Sequence, residues 1–135
     1  MRNLDVSEAE FSKMIGLAMD ELPQQYIKRL QNVVVVVEDE PTKEQRQELK
    51  LHCSETLFGL YKGVPLTMRG GAYSGVLPDK ITLFRLPMLR ACNTNAELFA
   101  QIKHTLWHEI AHYYGLDHDR IHAIEDRRNP DAAAW

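Results

Sequence analysis

Cysteine is scarce in this sequence, and the two that occur, Cys53 and Cys92, form no C-x-x-C pair. They read as reduced, buried thiols rather than a disulfide framework. Long apolar runs are also missing. The longest, Val33 to Val37, is far too short to span a bilayer. The N-terminal Met1-Arg2-Asn3-Leu4-Asp5 lacks the apolar core of a secretory signal, so a cytoplasmic location with no membrane partner is expected. Positive charge is not in excess: 16 Lys and Arg stand against 19 Asp and Glu, a formal charge of −3. No electrostatic case for nucleic acid exists. No internal repeat is visible. What remains, 44% hydrophobic and 26% charged residues over 135 positions, is the composition of an ordinary globular protein. One domain over residues 1–135 is expected, large enough for a real core.

Ser7-Glu8-Ala9-Glu10 is a capping box, and behind it Phe11, Met14, Ile15, Ala18, Met19 and Leu22 fall on one helical stripe ending at Pro23. Residues Asn32 to Val37 are β-branched without polar alternation, which predicts a strand buried on both faces and central in its sheet. Glu38-Asp39-Glu40-Pro41 breaks it as a solvated turn. Thr42 with Gln45 opens a second, polar helix through about Leu51. Leu57 to Pro65 reads as a short segment leading into a loop, and Arg69 to Gly75 as a flexible connector. A phosphate loop is the functional alternative for that glycine-rich stretch, but no Walker lysine follows it. Lys80 to Leu86 alternates like a half-exposed edge strand, stopped by Pro87. Thr94 to Glu97 is a third capping box, starting a helix whose apolar face holds Leu98, Phe99, Ile102, Leu106, Ile110 and Ala111. Beyond Gly115 a short helix from about Asp119 to Asp126 is expected, then a tail whose Trp135 can fold back onto the body.

The third helix carries the chemistry. Five of the six histidines fall between positions 104 and 122, and within that stretch His108-Glu109-Ile110-Ala111-His112 is an H-E-x-x-H motif. Residues four apart share a helix face, so His108 and His112 project to one point and can hold one zinc ion. A bare H-E-x-x-H arises by composition in roughly one chain per few hundred of this size, and the added Gly115 and His118 make coincidence rarer by roughly as much again. The bland reading, an amphipathic helix with solvated or packed histidines, gives that spacing no reason.

Two helical imidazoles are half of a tetrahedral site, and a catalytic zinc needs a third protein ligand and an open position. Gly115 can take positive φ, end the helix and turn the chain back, which brings His118 round to the metal. Asp119, His122 and Glu125 are the competing third ligands. His104 shares the helix face but lies about 12 Å along the axis from His112, which suits a surface or supporting residue better than a ligand to the same ion. Glu109 is placed to act as general base toward water, so the expected reaction is metal-assisted hydrolysis of an amide, a peptidase acting on peptides or unfolded protein. The alternative is a metal-binding or protein-interaction module without useful catalysis. A closed four-ligand structural site, however, gives Glu109 no reason to stand beside His108.

His108-Glu109-Ile110-Ala111-His112-Tyr113-Tyr114-Gly115-Leu116-Asp117-His118 matches the zincin pattern H-E-x-x-H-x-x-G-x-x-[H/D], and the short chain resembles the minimal zincin-like metallopeptidases. The resemblance implies an α+β domain, a small mixed sheet packed on the H-E-x-x-H helix, with an edge strand bordering the cleft and pairing with extended substrate. It also implies Zn2+ as cofactor, His108, His112 and His118 as its ligands, and Glu109 as the catalytic base. Many members of that family carry Asp where this chain has His118, which is nearer the larger metzincin pattern. Metzincins also place a Met-turn after the third ligand, whereas the last methionine here is Met88. Tyr113, Tyr114 and Trp135 are the candidates for the floor of the site in its place.

Overall fold

A computed structural model of the chain describes residues 4–52, 58–63 and 78–115. Cys53, the expected connector over 69–75 and the expected helix over 119–126 lie outside them. Helix α1, Glu8–Glu21, begins at the expected box: the Glu10 N–H donates to Ser7 Oγ at 3.1 Å and the Ser7 N–H to Glu10 Oε1 at 3.3 Å. Its Phe11, Ile15 and Ala18 are buried, and Met14 and Met19 pack partly against the same core. The helix stops before Pro23. A single further turn, α2 (Gln24–Ile27), follows, and the Gln24 amide donates back to the Met19 and Leu22 carbonyls at the end of α1.

Among the described residues three strands form a mixed sheet: β1 (Val33–Glu38), β2 (Gly59–Lys62) and β3 (Asp79–Phe84). Their order is β1-β3-β2, with β1 parallel and β2 antiparallel to β3. Two expectations are overturned here. The valine run is at an edge of this sheet, no residue of β1 is fully buried, and Val34 is 42% exposed. Lys80 to Phe84, expected at an edge, lies in the central strand, where Ile81, Thr82, Leu83 and Phe84 are all buried. The physical reason is the same for both. Side-chain alternation reports which faces of a strand are covered, not how many strands flank it, and β-branched residues suit edge and centre alike. Val33, Val35 and Val37 do pack against the core, so one face of β1 behaves as the sequence suggests.

Helix α3, Lys43–His52, opens on Thr42 as expected, with reciprocal bonds between Thr42 and Gln45 of 2.8 and 3.0 Å. Helix α4, Arg85–Ala91, departs from the expectation of a strand: Arg85 and Leu86 are helical, and Pro87 sits in the first turn instead of ending a strand. Proline is tolerated there because the N–H it lacks would have no partner inside the helix. Nor are Asp39 and Glu40 merely solvated. Asp39 accepts from Arg85 Nε at 3.1 Å, and Glu40 takes a two-pronged pair from Arg90, both 2.9 Å.

The longest element, α5 (Asn95–Tyr113), starts at Thr94, whose Oγ1 accepts from the Glu97 N–H at 3.1 Å. The box is displaced by one residue on its other side, since Glu97 accepts from Asn93 rather than Thr94. Leu98, Ile102, Leu106 and Ile110 are fully buried and share one core with Ile81 and Leu83 of the sheet and Phe11 and Ala18 of α1. A Lys103–Glu21 ion pair at 3.2 Å ties α5 to the end of α1. The fold is α+β, with the small mixed sheet packed on α5, as expected. Among the described residues no helix is long and apolar enough to cross a membrane.

Candidate metal centre

The site lies on the last two turns of α5, where the helix passes under strand β2. Close approach of the two elements depends on Gly59: a Cβ there would stand 2.6 Å from Thr105 Cγ2 and 3.2 Å from Leu83 Cδ2. With no side chain at 59, β2 settles against α5 one turn before the H-E-x-x-H motif.

His108 and His112 lie on one face of the helix with ring centroids 4.8 Å apart and planes at 72°. One ligand atom from each of His108, Glu109 and His112 can be chosen so that all lie within 4.8 Å of one another. His108 and Glu109 are buried and His112 is half-buried, so the cluster opens to solvent on the His112 side. His104 stacks beside His108, centroids 6.4 Å apart and rings 27° from parallel, one turn further from His112.

Glu109 is only 3% exposed. Its Oε1 accepts from the backbone N–H of Tyr61 at 2.9 Å, while Oε2, also buried, has no hydrogen-bond partner among the described residues. Burial raises its pKa from the usual 4.5 to about 8, and the Tyr61 bond offsets only part of that. A buried carboxylate oxygen without a partner, on a residue clustered with two imidazoles, is what a cation or a water would satisfy. Two imidazoles four residues apart on one helix face suit a zinc ion, with the Glu109 carboxylate beside them, so the residues present fit such an ion.

The helix ends as the sequence predicts. Tyr114 caps it and Gly115 takes φ 79°, the left-handed conformation that glycine adopts without penalty. The Gly115 N–H donates to the His112 carbonyl at 2.9 Å. His118 lies outside the described residues, as do Asp119, His122, Glu125 and Trp135. The remaining floor candidates are both engaged with the body of the fold. Tyr113 is buried, its hydroxyl accepting from the Gln31 N–H at 3.3 Å and its ring edge-on to Tyr61. The Tyr114 hydroxyl donates to the Tyr26 carbonyl, within a cluster that also holds Trp107.

Sequence reasoning missed two things here. The edge strand that reaches the motif is β2, on the side of β3 away from β1, through the bond from the Tyr61 N–H to Glu109. Tyr61 touches Glu109 through its backbone, which no side-chain pattern encodes. The one available hint was Gly59, a glycine inside an apolar stretch, which often marks close approach of another backbone or element.

The sequence profile of a family described as zincin-like metallopeptidase matches residues 30–128, spanning β1 to beyond the motif. No curated protein matches the chain. Among solved structures, a conserved hypothetical protein from Thermus thermophilus is similar at 20% identity, covering 81% of this chain and 94% of that one, with a TM-score of 0.52. At that identity the likeness bears on the fold.

Proposed function

The chain belongs to the zincin-like metallopeptidase family, and from that premise we propose that it is a zinc-dependent peptidase with Glu109 as general base. His108 and His112 supply two ligands, and His118 the third. Support for His118 comes from Gly115, three residues before it, whose positive φ ends helix α5. Bound zinc supplies Lewis acidity, lowering the pKa of water toward about 7 and polarising a carbonyl oxygen.

The observation that carries this reading is the division of labour between the two oxygens of Glu109. Oε1 is held by the Tyr61 N–H, which fixes the plane of the carboxylate. Oε2 is left to accept the proton of an attacking water and to return it to the leaving amine. A divalent cation at the imidazoles favours the charged carboxylate and so opposes the desolvation that pushes Glu109 up. The substrate class is peptide or unfolded protein. A cytoplasmic location completes the reading, supported by Cys92, a buried free thiol.

The test is zinc content per chain measured alongside cleavage of an unbiased peptide library. One zinc, released by chelator and by acid, with cleavage lost on chelation, is expected. A folded chain that takes up no zinc at neutral pH would end the proposal. One that binds zinc and cleaves nothing would leave a metal-binding module.

A further inference from the structure

Tyr61 is held at both ends. Its backbone N–H bonds Glu109, and its hydroxyl donates to Asp79 Oδ2 at 2.6 Å. Asp79 is 2% exposed, and a carboxylate is costly to bury unless hydrogen bonds compensate it. The strand register explains how the two side chains meet. Tyr61 pairs with Ile81 and Lys62 with Lys80, so Asp79 lies diagonally across from Tyr61 and directly across from Gly63. The carboxylate has room only because position 63 lacks a side chain: a Cβ there would run into Asp79 Cγ and Oδ1.

The backbone of β2 shows why this anchor matters. The Phe84 N–H donates to the Phe58 carbonyl, which makes 58 with 84, and hence 60 with 82, the hydrogen-bonded pairs of this antiparallel ladder. Tyr61 is in a pair of the other kind, so its N–H points away from β3 toward α5. In the 60–82 pair the Leu60 carbonyl faces β3, and the Tyr61 N–H, in the same planar peptide, is thereby turned to the opposite side. The Tyr61 side chain adds to the ladder the Asp79 bond and the edge-on contact with Tyr113 at 6.3 Å.

We infer that Asp79 is a positioning residue for Glu109, acting through Tyr61: the Asp79–Tyr61 bond pins the short edge strand β2, so that the Tyr61 N–H stays on Glu109 Oε1. The inference rests on the reading of Glu109 as general base, and it assigns a role to a buried acid outside the H-E-x-x-H motif.

The experiment uses the full chain, with and without zinc, and two readouts. The first is the amide proton at position 61, which a carboxylate acceptor shifts downfield and protects from exchange; Glu109→Gln identifies that signature. Tyr61→Phe keeps the ring against Tyr113 and removes only the hydroxyl. It should move the resonance toward the Glu109→Gln position and speed its exchange, with zinc content unchanged. The second readout is hydrolysis, where Tyr61→Phe should lower kcat by about 10–100-fold with KM within a few-fold, the usual scale for losing a group that orients another. Asp79→Ala should do the same, and the double substitution no more than the worse single one. If Asp79→Ala does not fold, Tyr61→Phe decides alone. An unchanged amide at position 61, or losses in kcat that multiply in the double variant, overturns the inference. Should the parent cleave no peptide at all, the peptidase reading fails, and the amide measurement still decides this one.

Discussion

Glu109 and Tyr61 are 48 residues apart in sequence and 2.9 Å apart in the fold, carboxylate oxygen to backbone nitrogen. Through that bond a sheet edge takes part in a site whose other members lie on one helix. The Glu109 carboxylate is thereby held by a backbone N–H, which no substitution at position 61 short of proline removes outright. Its second oxygen is buried without a hydrogen-bond partner among the described residues, on a residue clustered with the two imidazoles.

Glu109→Gln should retain zinc while losing hydrolysis. The amide matches the carboxyl in size and can keep its oxygen on the Tyr61 N–H, but it cannot take a proton from water. General-base catalysis contributes about 10²–10⁴-fold, so the drop is easy to resolve against any measurable parent rate. Turnover within a few-fold of the parent, at equal zinc content, would remove Glu109 from that role.

The metal-free protein should become less stable as pH rises. Glu109 has its pKa raised from 4.5 to about 8 by burial, so the folded state holds its proton more tightly than the unfolded state does. The stability this contributes is fully present below about pH 4.5 and is lost progressively as pH climbs through about 8. Chemical denaturation of the chelated protein at about pH 4, 6.5 and 8.5 brackets that interval and measures the slope, and Glu109→Gln should flatten it. Identical profiles for parent and variant would show that Glu109 is not buried in the way described.

Ala substitutions at His118, Asp119, His122 and Glu125 should weaken zinc binding unequally, with His118→Ala the most severe. His118→Asp should keep appreciable affinity, because a carboxylate oxygen suits zinc at nearly the same distance as imidazole. Zinc titration against a competing chelator ranks the variants. Parental affinity in His118→Ala together with lost affinity in Glu125→Ala would transfer the third ligand to Glu125.

Gly59→Ala should destabilise the fold by about 1–3 kcal/mol, the usual range for forcing a methyl group into a packed contact. The new Cβ meets the branched Thr105 side chain at 2.6 Å, with Leu83 behind it, so neither neighbour yields easily. The thermal midpoint reads this directly. No change in the midpoint would mean that β2 and α5 can separate without loss.

Local chemistry was legible in the sequence because it depends on residues within one or two turns. Caps at Ser7, Thr42 and Thr94 are contacts between residues three apart, and all three open helices. The shared face of His108 and His112 follows from helical period alone, and the end of α5 follows from what glycine permits at position 115. Tertiary structure decided the rest. Strand order was hidden because a strand's pattern encodes its faces and not its neighbours, so the valine run lies at an edge and Lys80 to Phe84 in the middle. Burial of Asp79 and the Tyr61–Glu109 bond were hidden for a related reason. They join residues 18 and 48 positions apart through register and backbone direction, which exist only once β2, β3 and α5 have packed together.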